Sequence, residues 1–508
     1  MLNSPEVNNL KNLIRDSFRI RPNHNPVYVD VSDHLTRLKS KQHQVLFGRR
    51  GSGKSCLLVH FKNKETSKLN SLTIYIDTDE IKRLGYPDVL IRLLLSIMES
   101  TPTAKQWWRK FIFRKSQIQK HIENLRVLLN QAETKKVKEE DKKTSGIDAG
   151  GEYGGANAKY SRSKSLGKLS EFEENKLDTL ERYLSDYKSS LVEELKKSKY
   201  DLGYIILDDY YLIKKERQPD VIDYMHRLLR GTDYYLKVGT VRHRTNLIRN
   251  EQQTIGVELR QDIEEINLDR TLENLSSASE YLSSILDSLG NKVELPNAST
   301  ELFNPQAFEK LVIASGGVPR DFLTIFVDSI DVANSSGKTN KLTPTNIWKS
   351  ASSLSYRTKL KNLRDDVYND ADSIENVFRD LVRFCIQEKK KTCFLISQDE
   401  AQKLPHIHEI ILQLMDFKLI HVVEPDTSAA SGRPGRYEAY TLDFSLFMEP
   451  RKRNIEIIEF WNFDDSARRV GIREAPIYEL ERAGKSMNFK DNQKTEDFID
   501  KVEGDSEI

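Results

Sequence analysis

The stretch His43-Gln44-Val45-Leu46-Phe47-Gly48-Arg49-Arg50-Gly51-Ser52-Gly53-Lys54-Ser55-Cys56-Leu57-Leu58-Val59-His60 decides the fold. Gly48, Gly53, Lys54 and Ser55 meet the spacing G-x-x-x-x-G-K-[ST], with a further glycine at Gly51. Val45-Leu46-Phe47 is the apolar run of a buried strand, and Cys56-Leu57-Leu58-Val59 opens a helix after the loop. Glycines here leave backbone N–H groups free to curl around a polyphosphate, and the following helix start adds its partial positive charge. The expected cradle runs over Gly48, Gly51, Ser52, Gly53, Lys54, Ser55 and Cys56. Lys54 would reach the β- and γ-phosphates and the Ser55 hydroxyl would ligate Mg²⁺, so ATP and Mg²⁺ are the expected cofactors.

Working outward, three further segments read as strands of the same sheet. Leu72 to Asp77 is β-branched and aromatic. Tyr204-Ile205-Ile206-Leu207-Asp208-Asp209 is an apolar run ending in acid, as a parallel strand delivers to the phosphate side of such a sheet. Asp208 is placed to hold Mg²⁺ through water, and Asp209 to polarise the attacking water. Tyr235 to Thr240 follows one helix later and would set Thr240 beside the γ-phosphate. Arg242 and Arg244 come next, as charge stabilisers or as surface arginines. Glu265 to Leu268 supplies a last short strand, and Tyr28 to Val31 a lead-in strand near the adenine. The fold class is α/β, with a parallel sheet.

The composition narrows the partners little. Lys plus Arg is 79 and Asp plus Glu is 77 in 508 residues, so any basic surface must be local. No run of 18 apolar residues offers a membrane span. Cys56, Cys385 and Cys393 are scattered without a metal-binding spacing, which fits a reducing compartment such as the cytoplasm.

Four units are expected along the chain. Residues 1–270 form the nucleotide domain, interrupted at 104–200 by two charged helical arms around a Gly/Ser/Lys-rich stretch. The first arm holds Trp107, Trp108 and Phe111 beside Arg109, Lys110, Arg114 and Lys115. It reads either as a solvated arm whose aromatics pack on the domain or as a nucleic-acid contact. Residues 271–365 form a small helical domain, with Pro319 at a helix start from which Arg320 projects and Thr343 to Asn346 as a helix cap. Residues 366–450 run helix, strand, helix, helix, strand, turn, strand, the order of a winged helix, with Arg433 and Arg436 at the wing tip. Residues 451–508 form a tail with no clear core beyond Ile455 to Trp461.

These pieces in this order resemble the AAA+ ATPases of the origin-recognition and replication-initiator type, over about residues 25 to 448. The resemblance is carried by Gly48 to Ser55, Leu207-Asp208-Asp209, Val238-Gly239-Thr240 and Gly317-Val318-Pro319-Arg320. It implies a nucleotide domain, a helical lid and a winged helix, and gives Thr240 and Arg320 the task of sensing the γ-phosphate. Two departures stand out. The family usually has Glu where this chain has Asp209, and the insertion at 104–200 is foreign to the initiators. An arginine finger toward a neighbouring copy has only Arg242, Arg244 and Arg260 as candidates. The STAND signalling ATPases share the domain order, but their lids usually carry Gly-x-Pro-Leu, where Arg320 stands here.

Two functions follow from the resemblance and the insertion. In one, ATP closes the lid through Arg320 and controls duplex DNA binding by the winged helix, with the helix His406 to Phe417 in the major groove and Arg433 and Arg436 at phosphate or minor groove. In the other, the chain is an ATP-gated hub of a defence or stress system that grips a protein partner through 104–200. A homo-oligomer fits either, and a membrane neither.

Overall fold

The computed structural model of the chain describes residues 2–20, 26–30, 32–102, 116–144, 173–198, 200–250, 253–337, 340–352, 356–366, 371–430, 432–446, 455–463 and 469–487. The aromatic and basic cluster at 107–115 lies outside them.

The loop of the opening stretch belongs to a five-stranded parallel sheet. Its strands are β1 (Gln44–Phe47), β2 (Ser71–Asp77), β3 (Leu202–Asp208), β4 (Tyr234–Thr240) and β7 (Glu264–Asn267), in the spatial order β2-β3-β4-β1-β7. Two short strands, β5 (Ile248–Asn250) and β6 (Thr254–Gly256), pair antiparallel beside it. The register sets Phe47 beside Thr240, and Asp77 beside Asp208, so the loop and the acidic strand ends share one edge of the sheet.

Side chains of the central strands alternate between two cores, which is why these segments read as continuous apolar runs. Val45, Phe47, Ile205, Leu207 and Val238 face one core, while Leu46, Tyr204 and Ile206 face the other with Leu57, Leu58 and Phe61 from the helix after the loop. The first core also takes in both arms of the insertion. Ile118, Ile122 and Leu125 come from the helix Gln117–Thr144, and Tyr187, Leu191 and Leu195 from Leu184–Ser198. The described roots of the arms are thus parts of the domain.

The helical lid holds Leu275–Asn291, Ala307–Ala314, Pro319–Ser336 and Pro344–Ser350. Pro319 sits in the first turn of its helix, where its missing N–H costs nothing. Thr343 and Asn346 form a reciprocal capping box. The first helix, Pro5–Ser17, packs on this lid through Val7, Leu10 and Ile14, and Lys11 and Arg15 both pair with Asp331. The unit expected at 1–270 therefore lends its first helix to the lid.

Beyond the lid, Ala371–Val382, β8 (Cys393–Ser397), Gln398–Lys403, Pro405–Asp416, β9 (Ile420–Thr427) and β10 (Tyr437–Leu442) follow in the expected order, and the three strands form an antiparallel sheet ordered β8-β10-β9. The tail departs from expectation. Phe460, Ile472, Tyr478, Leu480 and Ala483 are buried in the core that the lid and this sheet share, and backbone bonds from Leu395 to Pro476 and from Tyr478 to Leu395 lay the tail along β8. Single apolar residues set among charged and polar ones, with no regular spacing, hid that core from a periodicity argument. Among the described residues no helix is long and apolar enough to cross a membrane.

Candidate nucleotide-binding site

The loop after β1 closes over a cavity of about 370 Å³. Gly51, Gly53, Lys54, Ser55 and Cys56 line it together with Asp209 and, from the lid, Arg320. Val27, Tyr28, Tyr281, Ile285 and Leu289 line it as well. Charged groups and an aromatic-aliphatic set in one cavity suit a phosphate chain attached to a flat base.

The loop's geometry follows from its glycines. Gly51 and Gly53 have φ of 90° and 101°, a region that side chains rarely adopt. At Gly51 the need is double, because an added Cβ would come within 2.9 Å of the Arg320 Cβ. That closeness lets the Arg320 N–H donate to the Gly51 carbonyl at 3.3 Å. Lys54 donates to the Gly48 and Arg49 carbonyls at 2.7 and 3.3 Å, and its burial pushes its pKa down, opposed by Asp209 and Asp208. The Ser52 hydroxyl is buried without a hydrogen-bond partner, and Ser52, like Gly48, does not line the cavity. The positive-φ glycines and the buried Lys54 fit a polyphosphate. Ser55, at the second position of the helix Lys54–His60, is the side chain that would meet Mg²⁺ there.

The two carboxylates at the end of β3 differ. Asp208 is buried behind the cavity, with one oxygen taking the Tyr75 hydroxyl at 2.6 Å and the other the Asp209 N–H at 2.9 Å. It would reach a metal ion through water. Asp209 lines the cavity, and burial, then the neighbouring Asp208 charge, pushes its pKa up to about 6. Its φ of 54° is left-handed, where Asp is tolerated better than most residues, and this gives the backbone reason for Asp rather than Glu here.

The core is that of an α/β P-loop NTPase. No protein-family model matches the sequence, and no curated protein matches it either. Solved structures with similar chain paths include the Orc1 protein of Aeropyrum pernix in complex with DNA, at 11% identity and a TM-score of 0.33, covering 86% of this chain and 89% of that one. Cdc6p from Pyrobaculum aerophilum gives 10% and 0.33 over 85% and 93%, and the Walker-type ATPase PABY2304 of Pyrococcus abyssi 13% and 0.40 over 84% and 97%. At these values the likeness adds nothing to the strand order and loop geometry, which carry the fold.

Other expected residues sit elsewhere. Thr240 is fully buried and turned to the Thr245 hydroxyl at 2.5 Å, not into the cavity. Arg242 pairs with Glu265 and lies 4.2 Å over the Phe47 ring, and Arg244 stacks 4.6 Å over Tyr211 and 5.5 Å over Phe417. Arg260 has a left-handed φ of 69° in the turn before β7. Residues 26–30, which include most of the lead-in expected at Tyr28–Val31, form no strand; Pro26 to Val29 line the cavity, held by the Cys56 thiol, which donates to the Val27 carbonyl at 3.3 Å. Burial pushes that thiol up to about 12. Between β9 and β10, Arg433 pairs with Glu479 and Arg436 with Asp426. The helix Pro405–Asp416 packs on the turn Arg242–Arg244, and its Glu409 pairs with Lys215. Its apolar face, Ile407, Ile410, Ile411 and Leu414, is buried.

Sequence reasoning missed Arg49. It is nearly fully buried and donates to Asp269, to the Arg270 and Gly316 carbonyls at 2.8 and 3.2 Å, and toward His421 Nδ1 at 3.3 Å. One residue of the loop thus touches the lid and the C-terminal unit. Since a guanidinium only donates, His421 Nδ1 must accept, and Nε2 carries the proton and donates to Asp443 at 2.7 Å. Lys359 completes the chain, 2.6 Å from Asp443. Its signal in the sequence was only an arginine within a phosphate loop, with its partners more than 200 residues away.

Proposed function

We propose that the chain binds and hydrolyses ATP and uses the nucleotide to set how firmly the lid and the C-terminal unit hold the nucleotide domain. The observation that carries this reading is Arg320, which lines the same cavity as Lys54 and Asp209 while belonging to the lid. A terminal phosphate between Lys54 and Arg320 would tie two domains by charge-assisted bonds, and its loss would release one of them. Asp209 takes the proton of the attacking water; Ser55, with Asp208 behind it through water, would hold a Mg²⁺ ion, which would neutralise charge on the phosphates.

Through Arg49 and His421 the same loop grips the C-terminal unit. That unit is read as a winged helix, and its helix Pro405–Asp416 becomes available to duplex DNA only after it leaves the turn Arg242–Arg244. The paired arginines at the wing and the acidic Glu409 favour a protein partner as a second reading, since a DNA reader needs a basic footprint.

The test is ATP turnover together with hydrogen exchange at Pro405–Asp416, with and without duplex DNA. Exchange that differs between ATP and ADP, and turnover that rises with DNA, support the first reading. A helix equally protected in both nucleotides contradicts the switch.

A further inference from the structure

The lid meets the phosphate loop at two glycines. Arg320 stands against Gly51, and a tyrosine of another lid helix stands against Gly53. In that helix, Leu275–Asn291, the side chains of Ala278, Leu282 and Leu286 fix the backbone in the lid's core. Tyr281, Ile285 and Leu289, spaced by four, form a row that lines the nucleotide cavity. Tyr281 is the polar member of the row. Its hydroxyl lies 4.0 Å from the point where a Cβ on Gly53 would stand, so it faces the loop. Arg270, which donates to Ser277 at 3.3 Å and also to Ser32, holds the ring from 5.5 Å. Burial pushes the phenol up to about 12, so at neutral pH it keeps its proton and can donate. The side chain is half-buried, yet among the described residues its hydroxyl has no hydrogen-bond partner. A fixed donor beside a loop shaped for phosphate thus lacks an acceptor, and a phosphate oxygen is a charged one.

We propose that the Tyr281 hydroxyl donates to a non-bridging oxygen of the inner phosphates, α or β, and ties the lid to the nucleotide independently of the terminal phosphate. Gly53 gives the position, since the loop's N–H groups cradle the α- and β-phosphates, while the lysine of such a loop reaches outward. Tyr281 therefore holds the lid with ADP as well as with ATP, and Arg320 adds its hold with ATP alone. The inference rests on the nucleotide reading above.

The experiment compares the full chain with Tyr281→Phe, which keeps the ring beside Arg270 and removes only the hydroxyl. Calorimetry with ADP and with a non-hydrolysable ATP analogue should show both Kd values raised at least about tenfold and by a similar factor, as for one lost hydrogen bond to a charged acceptor. Without nucleotide the two proteins should share one Tm, because the hydroxyl has no protein partner to lose. The rise in Tm on adding ADP should be smaller in the variant. In ³¹P NMR of ADP-saturated protein, a phosphate resonance should move on substitution. Unchanged ADP affinity, or a loss confined to the triphosphate, overturns the inference. So does a loss with both phosphate resonances unmoved, which places the hydroxyl on ribose or base, or a lower Tm without nucleotide, which makes its role structural. A wild type that binds neither nucleotide overturns the nucleotide reading and this inference with it. A wild type that binds both, matched by the variant, overturns this inference alone.

Discussion

Asp209 is where position and protonation meet. Its carboxyl stands in the cavity with a pKa raised to about 6, first by burial and then by Asp208. The acid form is therefore favoured at higher pH than for an ordinary carboxyl, and a base must be ionised to accept a proton. Turnover should fall as pH drops through about 6 and level off above it. Asp209→Asn should remove that inflection and lower kcat by about 10²–10⁴, with ATP affinity nearly kept. A pH profile of kcat checks it, and an inflection that survives the substitution would assign the base elsewhere. The acidic pair at the end of β3 was legible because a strand ending in acid is a local pattern. That Tyr75 occupies Asp208 was not, since the bond spans 133 residues.

Among elements, the contact between the loop and the lid helix rests on a missing side chain. Gly51→Ala adds a Cβ against Arg320 and forces a left-handed φ, at a cost of about 1–3 kcal/mol. Gly53→Ala meets the same backbone cost, but its Cβ finds only the Tyr281 hydroxyl at 4.0 Å. ATP affinity should thus drop further in the first variant than in the second, and equal losses would mean that the lid contact contributes nothing. His421 offers an independent check. Burial lowers its pKa from 6.5, and protonation would turn an N–H toward the Arg49 guanidinium. Below pH 6.5 the unfolded chain takes up a proton that the folded one refuses, so stability falls as the pH falls. His421→Gln keeps one acceptor and one donor and cannot titrate. Its Tm should decline less between pH 7 and pH 5 than that of the wild type. The strands, the P-loop helix and the cap at Thr343 came from local chemistry; this relay joins three units by single side chains, which no periodicity reports.

At the scale of the whole molecule, three units meet at one loop. Arg320 brings the lid, Arg49 reaches His421 of the C-terminal unit, and the helix Pro405–Asp416 rests on the nucleotide domain. The order of the sheet strands and of the elements after them was readable from motifs and patterns in the sequence. The closed arrangement was not, because interdomain contacts here pair residues hundreds of positions apart and leave no spacing to find. The tail was misjudged for a related reason: its apolar residues pack on β8 one at a time, not as a face of their own. The account stands on ATP lying between Lys54 and Arg320, so the most direct measurement is ATP affinity and turnover of the wild type, Lys54→Ala and Arg320→Ala. The wild type should bind and hydrolyse ATP. Lys54→Ala should lose binding by about a hundredfold, as when a charge-assisted contact of about 3 kcal/mol is removed. Arg320→Ala should still bind ADP normally but lose its preference for ATP and its turnover. ATP held equally well by all three proteins would contradict the account.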